Sequence, residues 1–283
     1  MGSAPAGDDD RDLELAMRLA DVADTIGLRH FTGSVLDHEV KADGTPVSDA
    51  DREIERTLRD LVTDQRSGDG FLGEEVGASG EGHRRWIVDG IDGTVLFVAG
   101  ITGWATQIAL EVAGEMVVAV STSAALGRRW WARRGRGAWQ AAIVDGRLRG
   151  PEQMTVSDRG SLAAGRVTAI PPLDAVRGDQ RLAAARLAEA SQYVPPHEHG
   201  AVFVADGRAE ACFQAGGGPW DFAALALIVE EAGGRFSNLA GAWVIDHGGP
   251  VVYSNGRVHD EVLQVIDSGS ARRPSPPFPT SSR

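Results

Sequence analysis

The apolar residues of this chain change their spacing twice along the sequence, and the order of these changes limits the folds open to it. Between residues 13 and 31, and again between 49 and 65, they recur at the spacing of one helix face. From 70 to 133 they form short runs separated by glycine-bearing turns, which predicts strands. Beyond Pro151 strand and helix patterns alternate. This order predicts an α+β first half and an α/β second half.

The bounds of the predicted elements follow from the same spacing. We predict helices over 13–31, 49–65, 178–191, 199–206, 219–232 and 257–267. We predict strands over 70–73, 85–88, 105–112, 116–120, 129–133, 165–170, 209–214 and 250–254. The turn at 113–115 predicts that the strands on either side of it form an antiparallel hairpin. Ser48, with Asp51 three residues later, predicts an N-cap for the second helix.

The two ends of the chain differ in composition from the rest. Residues 1–10 and 268–283 are polar and lack apolar periodicity, so we expect them to be disordered. The 283 residues are enough to bury a sizeable core. We expect an α+β half over 11–150, which carries the antiparallel sheet and most candidate metal ligands, and an α/β half over 151–267 that completes the site.

Charge and composition exclude some classes of function. A formal net charge of −12 argues against nucleic-acid binding, which needs a basic surface. No apolar stretch reaches the length of a membrane span, and the acidic N-terminus does not resemble a signal peptide, so we expect a cytoplasmic protein without a membrane partner. The single cysteine, Cys212, excludes an intramolecular disulfide and lies between apolar neighbours, which favours a buried structural thiol.

The hexapeptide Asp89-Gly-Ile-Asp-Gly-Thr94 places two carboxylates where a predicted strand ends and a helix could begin. Carboxylate oxygens suit Mg²⁺, and Gly93 and Thr94 at such a turn can offer backbone N–H groups to an anion. An ordinary Asx-type turn is the alternative interpretation.

Other acidic residues also lie at the ends of predicted elements. Glu74 and Glu75 follow one strand, while Asp51 and Asp221 lie in first turns of helices. Taken singly, each fits a solvated charge or a residue that complements the helix dipole.

Taken together, the motifs resemble those of a known family. They are the segments 41–51, 73–75, 86–94, 220–224 and 231–234. In order and spacing they are similar to the signature motifs of the inositol monophosphatase family of Mg²⁺-dependent phosphomonoesterases, over residues 13 to 265. Segments 103–110 and 125–139 most resemble its histidinol-phosphatases. The resemblance implies a layered α-β-α-β-α sandwich and a homodimer.

The resemblance also implies a role for each matching residue. Two or three Mg²⁺ ions are expected; Glu74, Asp89 and the Ile91 carbonyl would bind one, and Asp89, Asp92 and Asp221 a second. Asp51, Glu74 and Thr94 would be catalytic, with Asp51 accepting the Thr94 hydroxyl proton and the pair activating the attacking water. Gly93 and Thr94 would bind phosphate, and Lys41, Asp92, Gln214 and Asp221 the substrate. Glu75 would lie just outside the metal ligands.

Lys41 is the only lysine among 28 basic residues. Either it survives by chance on a loop, or its compact ammonium is needed where arginine would not serve. The resemblance places Lys41 and Asp43 in a loop near the metal site, which favours an electrostatic role.

The chain departs from the family pattern at several positions. Gly90 replaces a proline, so we expect a looser loop and weaker metal binding. Val95 and Leu96 make the surroundings of the phosphate more apolar, and Gln214 stands near a glutamate that bonds substrate hydroxyls in the inositol phosphatases. The segment 193–199 replaces an acidic stretch of the histidinol-phosphatases, and we expect its His197 and His199 to face solvent, with substrate or metal binding as the alternative.

The sequence therefore predicts a phosphoric monoester hydrolase acting on a small polar alcohol phosphate. Histidinol phosphate is the first candidate, and an inositol, aminocyclitol or other specialised-pathway phosphate is the alternative. A hypothesis of a different class is a member of the family repurposed for regulatory binding or non-hydrolytic chemistry, which Gly90, Val95 and Gln214 motivate.

Overall fold

The computed structural model describes residues 8–31, 39–40 and 46–267. Its helices are α1 (Asp8–His30), α2 (Asp49–Gln65), α3 (Thr94–Val98), α4 (Gln180–Glu189), α5 (Gly200–Ala205), α6 (Pro219–Glu231) and α7 (His259–Asp267). Its strands are β1 (Glu39–Val40), β2 (Pro46–Val47), β3 (Gly70–Gly73), β4 (Gly77–Ser79), β5 (Arg84–Asp92), β6 (Ala105–Val112), β7 (Glu115–Ser123), β8 (Arg128–Arg133), β9 (Ala138–Val144), β10 (Arg147–Gln153), β11 (Arg166–Ile170), β12 (Gln192–Tyr193), β13 (Ala211–Gln214), β14 (Arg235–Asn238) and β15 (Val251–Ser254).

Every helix and strand predicted from the spacing of apolar residues is present. The cap of α2 is confirmed, because the Ser48 side chain accepts from the Asp51 N–H while the Asp51 carboxylate accepts from the Ser48 N–H. Helix α1 begins at Asp8, so residues 8–10 are helical although we expected them in a disordered end. The rest of the two expected disordered ends, 1–7 and 268–283, lies outside the described residues.

The strands form two large sheets. The first has the order β10-β9-β8-β7-β6-β5-β3-β4 and contains the predicted β6–β7 hairpin. Each pair of neighbouring strands in this sheet is antiparallel, except the pair of β3 and β5, which is parallel. The second has the order β12-β11-β13-β15-β14, with parallel pairing on one side of β13 and antiparallel pairing on the other. The first sheet lies in the first half of the chain and the second sheet in the second half.

The helices separate and cover these sheets. Helices α1 and α2 pack on one face of the first sheet, and α6 packs on its other face. Helices α5 and α6 also contact the second sheet, whose far side is covered by α4 and α7. The order of layers is therefore α-β-α-β-α, which confirms the predicted sandwich.

Both faces of the first sheet are apolar because both are covered. Along β5, Trp86 and Val88 join the core under α1 and α2, while Ile87 joins the core around α6. A third core lies between the second sheet and α4 and α7. Helix α6 lies between two sheets and is apolar on all sides, with its residues from Phe222 to Val229 buried. None of the helices in the described ranges has the length and apolarity needed to cross a membrane.

Candidate active site

The first two carboxylates of the site are brought together by an irregularity at the end of β5. Asp89 pairs with Gln107 of β6, but Asp92 pairs with Ala105, so β5 has one extra residue between the two pairs. Side chains alternate along a regular strand, and residues three apart would point to opposite faces. The bulge changes this alternation, and Asp92 lies on the same side as Asp89.

The third carboxylate comes from the second half of the chain. Asp221 lies in the first turn of α6, where its side chain accepts a hydrogen bond of 2.5 Å from the Gly218 backbone N–H. A Cβ atom on Gly217 would lie 2.8 Å from the Asp221 carboxylate, so this position needs a glycine. Pro219 at the start of the helix has no N–H to satisfy and favours the helical turn. The sequence 217–219 thus aims the Asp221 carboxylate toward the end of β5.

The three aspartates form a compact oxygen cluster. One ligand atom from each of Asp89, Asp92 and Asp221 lies within 4.8 Å of the other two. Burial, and then the charges of Glu74, Asp92 and Asp221, raise the pKa of Asp89 well above its usual value. Burial, and then the charge of Asp92, raise the pKa of Asp221 to about 8. Carboxylates that repel one another in this way fit a hard divalent cation such as Mg²⁺.

The charge of Glu74 raises the pKa of both Asp89 and Asp221, which shows that Glu74 lies next to this cluster. It follows β3, and its backbone is held by Glu55 of α2, whose carboxylate accepts from the N–H of Glu74 at 3.0 Å. Glu55 was not among the site residues predicted from the sequence. The available signal was an acid directly after the inward-facing Ile54 on α2, one turn beyond Asp51.

The predicted pairing of Asp51 with Thr94 is not the one observed. The Thr94 hydroxyl donates instead to the Ile91 carbonyl at 3.0 Å. The Asp51 carboxylate accepts from the Ser48 hydroxyl at 2.7 Å and from the Ser48 N–H at 2.9 Å, since it belongs to the cap of α2. Burial, with a smaller contribution from the Glu75 and Glu74 charges, raises the pKa of Asp51 to about 6 although the hydrogen bonds from Ser48 lower it. Asp51 therefore lies beside the acidic cluster, but its carboxylate is hydrogen-bonded to Ser48 at the start of α2.

The expectation that Gly90 loosens the metal-binding loop is not borne out by its contacts. The Gly90 carbonyl accepts from the Thr106 hydroxyl at 2.8 Å, and its N–H donates to Glu55 at 3.4 Å. A Cβ atom here would lie 2.9 Å from the Asp51 carbonyl oxygen. Glycine lets the end of β5 approach α2 closely, so the segment is held tightly by packing.

Gly93 and Thr94 form the turn from β5 into α3. Gly93 has a φ of 84°, which favours glycine, and its carbonyl accepts from the N–H groups of Leu96 and Phe97. Val95 is 63% exposed in the first turn of α3, directly after this turn.

One of the two histidines in the segment 193–199 is buried. His199 is 8% exposed, so the expectation that it faces solvent was wrong. It is the N-cap of α5, where its Nδ1 accepts from the Ala201 N–H, and its Nε2 lies 4.0 Å from an Asp92 carboxylate oxygen. Burial lowers the pKa of His199. The His199 ring lies edge-on to the Tyr253 ring, with 6.2 Å between the ring centroids.

Gln214 ends β13 and lies behind His199 in the same region. It is buried, and its side-chain oxygen accepts from the Tyr253 hydroxyl at 3.1 Å. His197, by contrast, has a side chain that is 70% exposed, as expected. Cys212 is buried, and burial raises the pKa of its thiol, which agrees with a structural role. Lys41 and Asp43 lie outside the described residues.

Comparison with known proteins gives this geometry a family. A profile of the inositol monophosphatase family matches residues 8–270. The histidinol-phosphatase of Mycobacterium tuberculosis is 40% identical over 261 residues, which cover 91% of this chain and 98% of that protein. A Streptomyces griseus protein named glucose-1-phosphate thymidylyltransferase is 39% identical, over 84% of this chain and 90% of that one.

A solved structure agrees with this result. The IMPase of Thermotoga maritima has a TM-score of 0.77 and 27% identity, over 92% of this chain and 97% of its own. The family match covers all the described residues, including the three clustered aspartates, Glu74 and the layered sheets. The chain therefore belongs to the inositol monophosphatase family.

Proposed function

We propose that this phosphomonoesterase hydrolyses the phosphate ester of a small polar alcohol with the help of Mg²⁺, and that histidinol phosphate is the first candidate substrate. The observation that carries the proposal is the cluster of Asp89, Asp92 and Asp221, whose ligand atoms lie within 4.8 Å of one another. A cluster of carboxylates with raised pKa values is costly to the fold, and a bound cation offsets that cost.

The proposed Mg²⁺ ligands are those implied by the motifs. They are Glu74, Asp89, the Ile91 carbonyl, Asp92 and Asp221, for two or three ions. When bound, Mg²⁺ neutralises phosphate oxygens, lowers the pKa of water and stabilises the leaving alkoxide.

The remaining groups would position the phosphate and the water. Backbone N–H groups of Gly93 and Thr94 would bind phosphate oxygens. The Thr94 hydroxyl donates to the Ile91 carbonyl, so its oxygen can still accept a hydrogen bond from the attacking water and orient that water. Water would attack phosphorus directly, the bond from phosphorus to the alcohol oxygen would break, and the leaving alkoxide would take a proton from bulk water. Asp51, next to the acidic cluster, is the proposed acceptor of the proton from water.

The substrate proposal rests on the relatives and on the region around Asp92. The 40% identical relative is named a histidinol-phosphatase. His199 lies 4.0 Å from Asp92, and the buried Gln214 is bonded to Tyr253, whose ring His199 faces. Both side chains would contact the alcohol part of the substrate. Lys41 would act on the phosphate or on the carboxylates. We also propose that the protein is cytoplasmic and forms a homodimer. Its ligand would be a small phosphate ester, and it would bind neither nucleic acid nor a membrane.

Phosphate release from a substrate panel tests the proposal. The panel contains histidinol phosphate, inositol monophosphate, an aminocyclitol phosphate and p-nitrophenyl phosphate, each with Mg²⁺ and with EDTA. We expect Mg²⁺-dependent release, fastest with histidinol phosphate. Faster turnover of a cyclitol phosphate would replace the substrate and keep the reaction. If calorimetry detects no Mg²⁺ binding and no member of the panel is hydrolysed, the hydrolase proposal fails and the repurposed, non-hydrolytic role is favoured.

A further inference from the structure

Glu55 is an acidic residue that is completely buried on α2. Its carboxylate accepts from three successive backbone N–H groups in the turn after β3. The distances are 3.0 Å to Glu74, 2.8 Å to Glu75 and 2.9 Å to Val76. A fourth, longer contact of 3.4 Å comes from the Gly90 N–H in β5. One side chain therefore connects a helix with two separate segments of the first sheet.

These two segments carry the acidic residues of the site. The turn after β3 contains Glu74, and Gly90 lies between Asp89 and Ile91. The two strands pair in parallel as far as Gly73 opposite Val88, where their ladder ends. Beyond that pair, the Glu55 carboxylate accepts the N–H groups that the ladder no longer satisfies. It therefore continues the connection between the strands up to the metal-binding residues.

The sequence leaves space for this carboxylate. A Cβ atom on Gly73 would collide with a Glu55 carboxylate oxygen, and one on Gly90 would lie 3.2 Å from Glu55 Cγ. An ionised carboxylate only accepts hydrogen bonds and offers about four lone-pair positions, which suits a set of N–H donors. A glutamine at the same position would direct an NH₂ group at one or more of those donors.

A second clamp of the same kind lies elsewhere. Glu231, at the end of α6, accepts from the backbone N–H groups of Gly135, Arg136 and Gly137 in the turn between β8 and β9. It lies at the opposite end of α6 from Asp221, about 15 Å along the helix. Glu231 therefore provides a matched control, a carboxylate that holds a turn remote from the acidic cluster.

We propose that Glu55 is a positioning residue for the metal site: it holds the turn of Glu74 and the segment from Asp89 to Ile91 at the separation that lets both segments bind the same cation. The inference rests on the metal binding in the proposed function, but not on the identity of the substrate. Glu55 itself has no metal-ligand role in it, because its oxygens are occupied by backbone N–H groups.

Metal binding without substrate tests the inference. Titration calorimetry with Mg²⁺ and Mn²⁺ is done on metal-free wild type, Glu55→Gln and Glu231→Gln. We expect Glu55→Gln to bind metal at least about tenfold more weakly, the usual cost of removing a group that orients a metal ligand. In turnover, its half-saturating Mg²⁺ concentration rises by a similar factor, while KM for the substrate at saturating Mg²⁺ changes less than about twofold. Glu231→Gln lowers the unfolding temperature but keeps the wild-type metal affinity.

A second variant covers the case in which Glu55→Gln does not fold. Glu55→Asp keeps the charge and only shortens the side chain, so we expect it to fold and to bind metal with an intermediate affinity. Wild-type metal affinity in the folded Glu55 variant, or an equal loss in Glu231→Gln, overturns the positioning role. If the wild type binds metal but hydrolyses no ester, the proposed function fails while the Glu55 comparison still stands.

Discussion

Asp92 lies between the acidic cluster and the buried His199. One of its carboxylate oxygens accepts from the Gln107 side chain at 2.8 Å, and the same oxygen is 4.0 Å from His199. Its charge also raises the pKa of Asp89 and Asp221. A single residue thus contributes a proposed metal ligand, a contact to the substrate side and much of the repulsion within the cluster.

Asp92→Asn is expected to abolish turnover and to raise the unfolding temperature of the metal-free protein. Asparagine keeps the shape and the acceptor for Gln107 but removes the charge that repels Asp89 and Asp221. Phosphate release with Mg²⁺ and thermal unfolding in EDTA measure the two effects. Asp158→Asn, on an exposed loop, is the control and should change neither. Full activity in Asp92→Asn would contradict the metal assignment.

Gly90→Ala is expected to destabilise the protein by roughly 1–3 kcal/mol, the cost of overpacking a tight site. The added Cβ would lie 2.9 Å from the Asp51 carbonyl oxygen. Gly90→Pro should cost more, because it also removes the N–H that faces Glu55. Denaturant unfolding measures both. Gly68→Ala is the control, since nothing lies within 4 Å of its new methyl group. Greater stability in Gly90→Pro would show that the proline of the family pattern fits here.

At the scale of elements, the first turn of α2 both stabilises the helix and carries a proposed catalytic residue. Ser48 caps the helix and is also the hydrogen-bond partner of Asp51. The same turn therefore stabilises the helix and orients a proposed catalytic carboxylate.

Ser48→Ala should lower the free energy of unfolding by about 1–2 kcal/mol, the usual effect of losing an N-cap. It should also lower kcat, because the Asp51 carboxylate loses the hydroxyl at 2.7 Å that fixes its orientation. Urea unfolding and steady-state kinetics measure the two. Thr63→Ala on the same helix removes only a hydroxyl bonded to the Arg59 carbonyl, and it should leave kcat unchanged. Unaltered stability in Ser48→Ala would contradict the capping role.

Two of the strands that were not predicted from the sequence lack an apolar pattern. Strand β10 is almost entirely exposed and contains Gly150 and Pro151, so its pairing with β9 leaves little trace in the sequence. Strand β14 has four residues and a single large apolar side chain, Phe236. By contrast, β6 and β7 bury residues from both faces: β6 was predicted to its exact ends, and β7 was predicted from 116 to 120 although it continues to Ser123.

At the scale of the whole molecule, stability depends on a buried histidine far from the acidic cluster in sequence. His259 is fully buried, and its two ring nitrogens lie 2.8 Å from the hydroxyls of Ser237 and Ser254. Burial, and then the charge of Arg235, lower its pKa from 6.5 to about 4. It therefore connects α7 to two strands of the second sheet in its neutral form.

The lowered pKa of His259 predicts that the free energy of unfolding decreases in acid. Between pH 6.5 and 4 the unfolded chain binds a proton at His259 that the folded chain does not. The contribution is therefore complete well above pH 6.5 and is lost as pH falls toward 4, by about 3 kcal/mol. The carboxylates with raised pKa values act in the opposite direction, so the informative quantity is the difference between wild type and His259→Gln.

Denaturant unfolding at pH 4.5, 5.5, 6.5 and 7.5 measures this difference. The stability gap between wild type and His259→Gln should shrink as pH falls through the window. His83→Gln, at an exposed position, is the control and should keep a constant gap. A gap that does not change with pH in His259→Gln would show that His259 is not held neutral.

The sequence by itself determined most of the helices and strands, the layered fold and the residues of the acidic cluster, because apolar periodicity and the spacing of Asp89, Asp92 and Asp221 are local or family patterns. Only the tertiary structure decided how these residues are held. The inward turn of His199, the close approach at Gly90 and the clamp of Glu55 all depend on contacts between segments distant in sequence. Such contacts form when layers pack, and a buried polar group is satisfied by whichever partner the packing brings within hydrogen-bond distance.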